Sequence, residues 1–392
     1  MSEGLLLKAL IILFISASVV GALARLKLPS PIGYLVSGLL IGPYGLQLLT
    51  TSAEIDFLSN LGIVFLMFIV GLELSIPATS GPRRNFLLGG SLQVGLTALL
   101  IFAGAILYGS SPIDAILLGG AGALSSVIIV MKQLANQNEI SREHGQIALN
   151  ILTFQSMTLI PFVAIIGAFE QAGGFDPVTL LRHVLIATAA FLLVLALCRL
   201  ALRPTLTFIA QRNLTDLFLP LVLLFAMTTA VATHFAQLAP PISAYLSGMT
   251  GGESDAEHRI ENSFRPFRDT MLGLFFLAMG MKIDPSVIQT FPQSVLEWTS
   301  ALIVGKTVVL LFVGAMMHWP PIVAARVAVI LSHGGGLSLL LLTEGMRTNA
   351  IPPDAGQPAL MAVAITMLLG SILIRENRSV AKIIDRQSSR LK

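Results

Sequence analysis

Charge is scarce in this sequence. Asp, Glu, Lys and Arg make up 11% of its 392 residues, against about a quarter in ordinary soluble domains, while 55% of the residues are apolar. That shortage excludes a soluble enzyme, a disordered chain and a nucleic-acid binder. The 24 Lys and Arg exceed the 21 Asp and Glu by only three, too few to imply an acidic partner. Cysteine is almost missing. Cys198 is alone and lies in an apolar run, which rules out a disulfide framework and a cysteine-based metal site. Strand-like alternation, linkers and low-complexity stretches are missing as well. Glycine (34) and proline (20) are plentiful and sit inside the apolar runs, as helices in lipid tolerate.

A bilayer core takes about 20 apolar residues per helix. The chain offers thirteen such runs: 4–25, 30–47, 57–77, 85–108, 112–135, 143–168, 177–201, 215–237, 239–251, 267–282, 295–317, 320–344 and 354–375. The expected fold is therefore an all-α polytopic membrane protein. The second and ninth runs are short and carry Pro and Gly. The first is too long for a signal peptide, holds Lys8 in place of a basic leader, and no small-residue cleavage site follows.

Basic residues favour cytoplasmic connections. The odd-numbered connections hold Arg25, Lys27, Arg83, Arg84, Lys132, Arg142, Arg199, Arg203, Arg212, Arg259, Arg265 and Arg268. The end of the chain adds Arg375, Arg378, Lys382, Arg386, Arg390 and Lys392, whereas the even-numbered connections hold Arg182, Lys282 and Arg347. This bias puts the N-terminus outside and the C-terminus in the cytoplasm. Residues 1–376 read as one transmembrane domain and 377–392 as a basic cytoplasmic tail lying along the anionic leaflet. Residues 252–268 form the most charged loop and read as a solvated cytoplasmic turn.

Two runs carry small residues at their midpoints. The fifth has Gly119, Gly120, Gly122, Ser125 and Ser126; the twelfth has Gly334, Gly335, Gly336 and Ser338. Gly-interrupted segments at matching positions of two halves indicate discontinuous helices around a midplane site. The offset of seven runs is odd, so the halves would be inverted repeats. Unwinding is expected near 120–126 and 333–338, with the two breaks crossing; the plainer alternative is close helix packing through small residues. A dinucleotide-binding glycine motif is excluded, because no strand precedes the first cluster.

Ionisable groups at membrane depth are costly and functional by default. Lys306 lies mid-way along the eleventh run, Gln155 and Ser156 mid-way along the sixth, and His333 just before the triple glycine. Lys306 needs helix-end carbonyls, an anion or water. His333 suits packing or a proton relay. Lys8, nearer its helix end, snorkels. Glu73, Asp114, Asp269 and Glu344 all fall near run ends, so no carboxylate lies at the midplane.

The motifs become specific at Pro31–Leu46 (PIGYLVSGLLIGPYGL), 61–74 (LGIVFLMFIVGLEL), 123–134 (ALSSVIIVMKQL) and 242–284, which ends in FFLAMGMKID. In this order they resemble the membrane domain of Kef-type potassium efflux systems, in the monovalent cation:proton antiporter-2 family. The resemblance implies a thirteen-helix homodimer in a bacterial inner membrane, with no cofactor and no enzymatic activity. It further implies a scaffold domain, a mobile core with two crossing broken helices, and elevator-type exchange of a monovalent cation for a proton.

The sequence departs from that family in three places. Kef-like proteins have Gln-Asp in the sixth run, the Asp being the ion and proton carrier; here Gln155 matches and Ser156 takes the Asp's place. Gly336 stands where the family tends to have an acid, and no nucleotide-binding regulatory domain follows the tail. A serine does not titrate in the useful range, so the first departure bears on proton coupling itself. Two classes of function remain. One is K+ or Na+ transport through Gln155, Ser156, Ser125, Ser126 and the backbone at Gly120, Gly122, Gly334, Gly335 and Gly336, with His333 as a relay. The other is an anion or organic-solute carrier using Lys306, or an uncoupled channel or sensor on the same scaffold.

Overall fold

The structure is a computed structural model that describes residues 3–49, 60–64, 66–68, 84–172 and 270–377, with isolated positions elsewhere. The described residues of 3–49, 84–159 and 279–377 form one compact unit; those of 60–68, 160–172 and 270–278 belong to a second. The seventh, eighth and ninth apolar runs, Cys198, Glu73, Asp269, the loop 252–268 and the tail from 378 lie outside the described residues.

Every regular element among the described residues is a helix, with no strand among them. In chain order the helices are α1 (Glu3–Arg25), α2 (Ser30–Ile41), α3 (Asn85–Leu107), α4 (Pro112–Ala123), α5 (Val127–Asn136) and α6 (Glu143–Ala172). Then come α7 (Thr270–Met281), α8 (Pro292–Met316), α9 (Pro321–Leu331), α10 (Gly336–Arg347) and α11 (Pro353–Arg375). Among the described residues, five spans are long and apolar enough to cross a membrane, or six with the bent pair α9–α10 counted as one. The expected boundaries hold to a few residues for most runs. The second run is the exception: its helix stops at Ile41, and the following residues turn back so that the Leu46 N–H donates to the Leu40 carbonyl over 2.6 Å.

Local chemistry explains the helix ends. α4, α8, α9 and α11 each open with proline in the first turn, where the missing N–H costs nothing. Ser111 and Asp114 add a reciprocal cap to α4. At the other ends, Lys27, Asn138, His318 and Asn349 take left-handed backbone (φ 55–60°) just past α1, α5, α8 and α10. Each reverses the chain so that a downstream N–H reaches a last-turn carbonyl, as Trp319 does to Gly314 over 2.9 Å.

Two features repeat at the seven-run offset. The fifth run breaks between α4 and α5, and the twelfth breaks between α9 and α10 with a bend of 43°. The runs just before them each contain one π-helical segment, Asn85–Gly89 in α3 and Ala301–Gly305 in α8. Such widened turns rotate the residues that follow and occur often at functional sites. In the first unit α3 packs along α4 and α8, while α10 packs against both α4 and α11. The apolar core around the breaks includes Leu118, Leu302, Leu331 and Leu340.

Candidate ion site at the crossing of the broken helices

The two breaks touch. A Cβ on Gly335 would lie 2.6 Å from the carbonyl carbon of Ser125 and 2.6 Å from the amide nitrogen of Ser126. Only a glycine allows two backbones to approach this closely. Side chains then stitch the breaks together. The Ser125 hydroxyl donates to the Leu331 carbonyl over 3.0 Å, and the Ser338 hydroxyl donates to the Leu124 carbonyl over 3.3 Å.

The break in the fifth run is narrower than the expected 120–126. Gly119, Gly120 and Gly122 are all helical, and the unwound residues are Leu124, Ser125 and Ser126. The glycines serve packing instead: a Cβ on Gly119 would lie 2.6 Å from the Ala98 carbonyl oxygen of α3, and one on Gly122 would strike Ile101. Gly122 therefore acts through helix approach, and Gly120, also helical, is not backbone of the break. In the twelfth run, Ser332, His333, Gly334 and Gly335 form the break, and Gly336 is the first residue of α10.

Lys306 sits against this crossing. It is the first residue after the π segment of α8 and is fully buried. Its Nζ donates to the Leu124 carbonyl (2.8 Å), to Ser125 Oγ (2.9 Å) and to the His333 carbonyl (3.1 Å). Two of these partners can only accept, and the Ser125 proton is committed to Leu331. Three acceptors match the three protons of an ammonium. Leu124 and His333 end the half-helices α4 and α9, so the lysine charge lies at two negative dipole ends. The two positive ends, the N-termini of α5 and α10, receive hydroxyl oxygens. Ser126 Oγ accepts from the Ile129 N–H (3.3 Å), and Ser338 Oγ accepts from the Gly335 N–H (3.2 Å).

Gln155 braces the break without bonding to Lys306. Its Oε1 accepts from the Ser125 N–H (2.7 Å), and its Nε2 donates to Gln93 Oε1 (2.8 Å) and Ser125 Oγ (3.4 Å). Gln93 on α3 passes the network on, donating to Thr97 Oγ1 (3.2 Å) and the Ala123 carbonyl (3.1 Å). Ser156 is buried, but its hydroxyl donates to the Leu152 carbonyl of its own helix (3.0 Å). No hydrogen bond joins it to Lys306. Among the described residues Glu139 is the one buried carboxylate, and it lies in the α5–α6 connection, away from the crossing.

His333 enters the site through its backbone. Its ring packs on Gly370, where a Cβ would come within 2.6 Å of it, and meets no hydrogen-bond partner of standard geometry; the Ile330 backbone is a looser neighbour. Sequence reasoning passed over Gln93, Thr97 and Thr366, whose Oγ1 accepts from the Gly334 N–H at 3.1 Å. Their signal was the one used for Gln155, a polar residue near the middle of an apolar run. Arg326, a charged residue inside the twelfth run, was passed over too.

Comparison with known proteins identifies the family. The family described as sodium/hydrogen exchanger, transmembrane, matches residues 10–376. The chain belongs to the sodium/hydrogen exchanger family. It is 30% identical over 375 residues to the glutathione-regulated potassium-efflux system protein KefC of Cronobacter sakazakii, a match covering 95% of this chain and 60% of that protein. A putative K(+) efflux antiporter, KefB of Alkalimonas amylolytica, is 30% identical over 387 residues, covering 97% of this chain and 58% of its own length. The chloroplastic K(+) efflux antiporter 2 of Arabidopsis thaliana is 29% identical over 399 residues, 99% of this chain and 34% of that one. The chain thus spans about 60% of the length of its bacterial relatives. Among solved structures, the sodium proton antiporter MjNhaP1 from Methanocaldococcus jannaschii matches with a TM-score of 0.74 over 97% of this chain and 99% of that one, at 15% identity. This member of the sodium/hydrogen exchanger family is an integral membrane protein with the fold of that antiporter structure, and its Kef-type motifs agree with its relatives.

Proposed function

We propose that this chain is a secondary transporter of a monovalent cation, K+ or Na+, with its cation site at the crossing of the broken helices. One observation carries the reading: oxygens from both breaks, the Leu124 and His333 carbonyls and the Ser125 hydroxyl, converge on a single monovalent cationic group, the Lys306 ammonium. Oxygens that hold an ammonium at 2.8–3.1 Å also suit a dehydrated K+, which takes them in place of the Lys306 ammonium when that side chain withdraws. The relatives' names, potassium efflux system and K(+) efflux antiporter, favour K+ as cargo. Transport proceeds by elevator movement of a core that includes α4, α5, α9 and α10, within a homodimer in a bacterial inner membrane, N-terminus outside. Ser156 stands in place of the family's carboxylate, so the chain moves few protons for each cation. Gln155, Ser126 and the glycines near both breaks shape the site without holding the ion.

A second reading rests on its own observation. Among the described residues no carboxylate accompanies Lys306, and an ammonium balanced only by dipoles and neutral oxygens favours a small organic anion. Uptake of labelled Rb+, Na+ and small carboxylates into proteoliposomes decides between the two. The cation reading expects saturable Rb+ or Na+ uptake that Lys306→Met alters. Carboxylate uptake with no cation flux overturns it.

A further inference from the structure

Each broken span receives a side chain from the span before it. Lys306, just past the π segment of α8, donates to the His333 carbonyl in the break of the twelfth run. Gln93, one turn past the π segment of α3, donates to the Ala123 carbonyl at the break of the fifth. Ala123 is the last residue of α4, so its carbonyl has no partner within that helix. Gln93 is thus the counterpart of Lys306 at the seven-run offset, with an amide where Lys306 has a cation. It is fully buried, and no hydrogen bond joins the two.

The amides around Gln93 have one consistent orientation. A backbone carbonyl can only accept, and a backbone N–H can only donate. Gln93 Nε2 therefore faces the Ala123 carbonyl (3.1 Å), which turns Gln93 Oε1 towards Gln155 Nε2 (2.8 Å). Gln155 Oε1 is then left to accept from the Ser125 N–H (2.7 Å). Thr97 Oγ1 takes the second proton of Gln93 Nε2 (3.2 Å), so that amide has no free donor. The Ser125 N–H and the Leu124 carbonyl belong to a single planar peptide, so fixing one fixes the other. The two glutamines thus pin the peptides on both sides of Leu124, whose carbonyl meets Lys306 Nζ at 2.8 Å.

We propose that Gln93, which touches no ion, is a positioning residue that sets the choice between K+ and Na+ by holding Gln155 and, through it, the Leu124 carbonyl. Its role in ion choice rests on the cation site proposed above; the positioning does not. A carbonyl held by this chain of amides keeps the spacing that suits the larger ion. Released from it, the carbonyl tilts inward and fits the smaller one, so loss of Gln93 favours Na+.

Gln93→Met keeps the length of the side chain and removes its amide. In proteoliposomes it should raise the ratio of the Rb+ KM to the Na+ KM at least about five-fold. Gln133→Met is the matched control, since Gln133 is a buried glutamine of α5 that donates to the Ser371 carbonyl of α11 and to neither break. It should change that ratio less than about two-fold. Hydrogen–deuterium exchange resolved to single amides, on the full chain in nanodiscs, reads the geometry without transport. The Ser125 amide of the unmodified protein should exchange as slowly as the helical amides of α4, and at least about ten-fold faster in Gln93→Met. Rapid Ser125 exchange in the unmodified protein, a check that needs no variant, or exchange unchanged by Gln93→Met would overturn the positioning. Equal loss of Rb+ and Na+ uptake in Gln93→Met, or the same ratio shift in Gln133→Met, would overturn the role in ion choice. Should the unmodified chain carry neither ion, the cation site itself is overturned, and Ser125 exchange still decides the positioning.

Discussion

Lys306 Nζ and Ser125 Oγ lie 2.9 Å apart, with the Ser125 hydroxyl proton turned away to the Leu331 carbonyl. A side chain of α8 is thereby bonded to the break of the fifth run, and through His333 to the break of the twelfth. The lysine that the sequence leaves without an acid is held by three oxygens. It acts as an internal cation that joins both broken helices.

Removing that cation should cost stability. Lys306→Met leaves the Leu124 and His333 carbonyls buried without their donor, and should destabilise the protein by about 3 kcal/mol or more. Thermal unfolding in detergent at fixed lipid content checks this. A midpoint unchanged from the unmodified protein would mean that Lys306 does not hold the crossing together.

Ser156 should be energetically quiet. Its hydroxyl bonds the Leu152 carbonyl of its own helix, an arrangement that stabilises little. Ser156→Ala should shift stability by less than about 1 kcal/mol. A double-mutant cycle with Lys306→Met should return a coupling below about 0.5 kcal/mol. A larger coupling would show that the two side chains face each other.

Glycines should differ sharply by position. Gly335→Ala drives a methyl into the Ser125–Ser126 peptide and should abolish well-dispersed, monodisperse protein. Gly95→Ala, in the exposed middle of α3 with nothing within 4 Å, should be neutral or stabilise by about 0.5–1 kcal/mol. Size-exclusion profiles and thermal midpoints of the two variants read out the contrast. A well-behaved Gly335→Ala protein would contradict the crossing.

Much of this was legible in the sequence because hydrocarbon imposes few solutions. Apolar runs of a set length had to be helices, and polar residues mid-run had to converge, as Gln155, Ser125 and Lys306 do. The exact breaks were not legible. Glycine signals both unwinding and close packing, and only the neighbours Ala98 and Ile101 reveal that Gly119 and Gly122 pack. The π segment that sets the angle of Lys306 leaves no residue signature either. Arg326 was hidden because its partner, Glu139, is 187 residues away in a connection, and nothing local distinguishes a paired arginine from a misplaced one.

The central claim is that the crossing binds a monovalent cation yet lacks a group to carry the proton. Proteoliposomes loaded with a pH-sensitive dye, given a K+ or Na+ gradient, test it most directly when the unmodified chain is run beside Ser156→Asp. The unmodified chain should give a proton signal indistinguishable from empty liposomes, and Ser156→Asp should raise it at least about ten-fold by restoring a titrating carboxylate. Robust cation-driven proton movement by the unmodified chain would contradict the account, and would assign proton carriage to another group, such as Lys306 or His333.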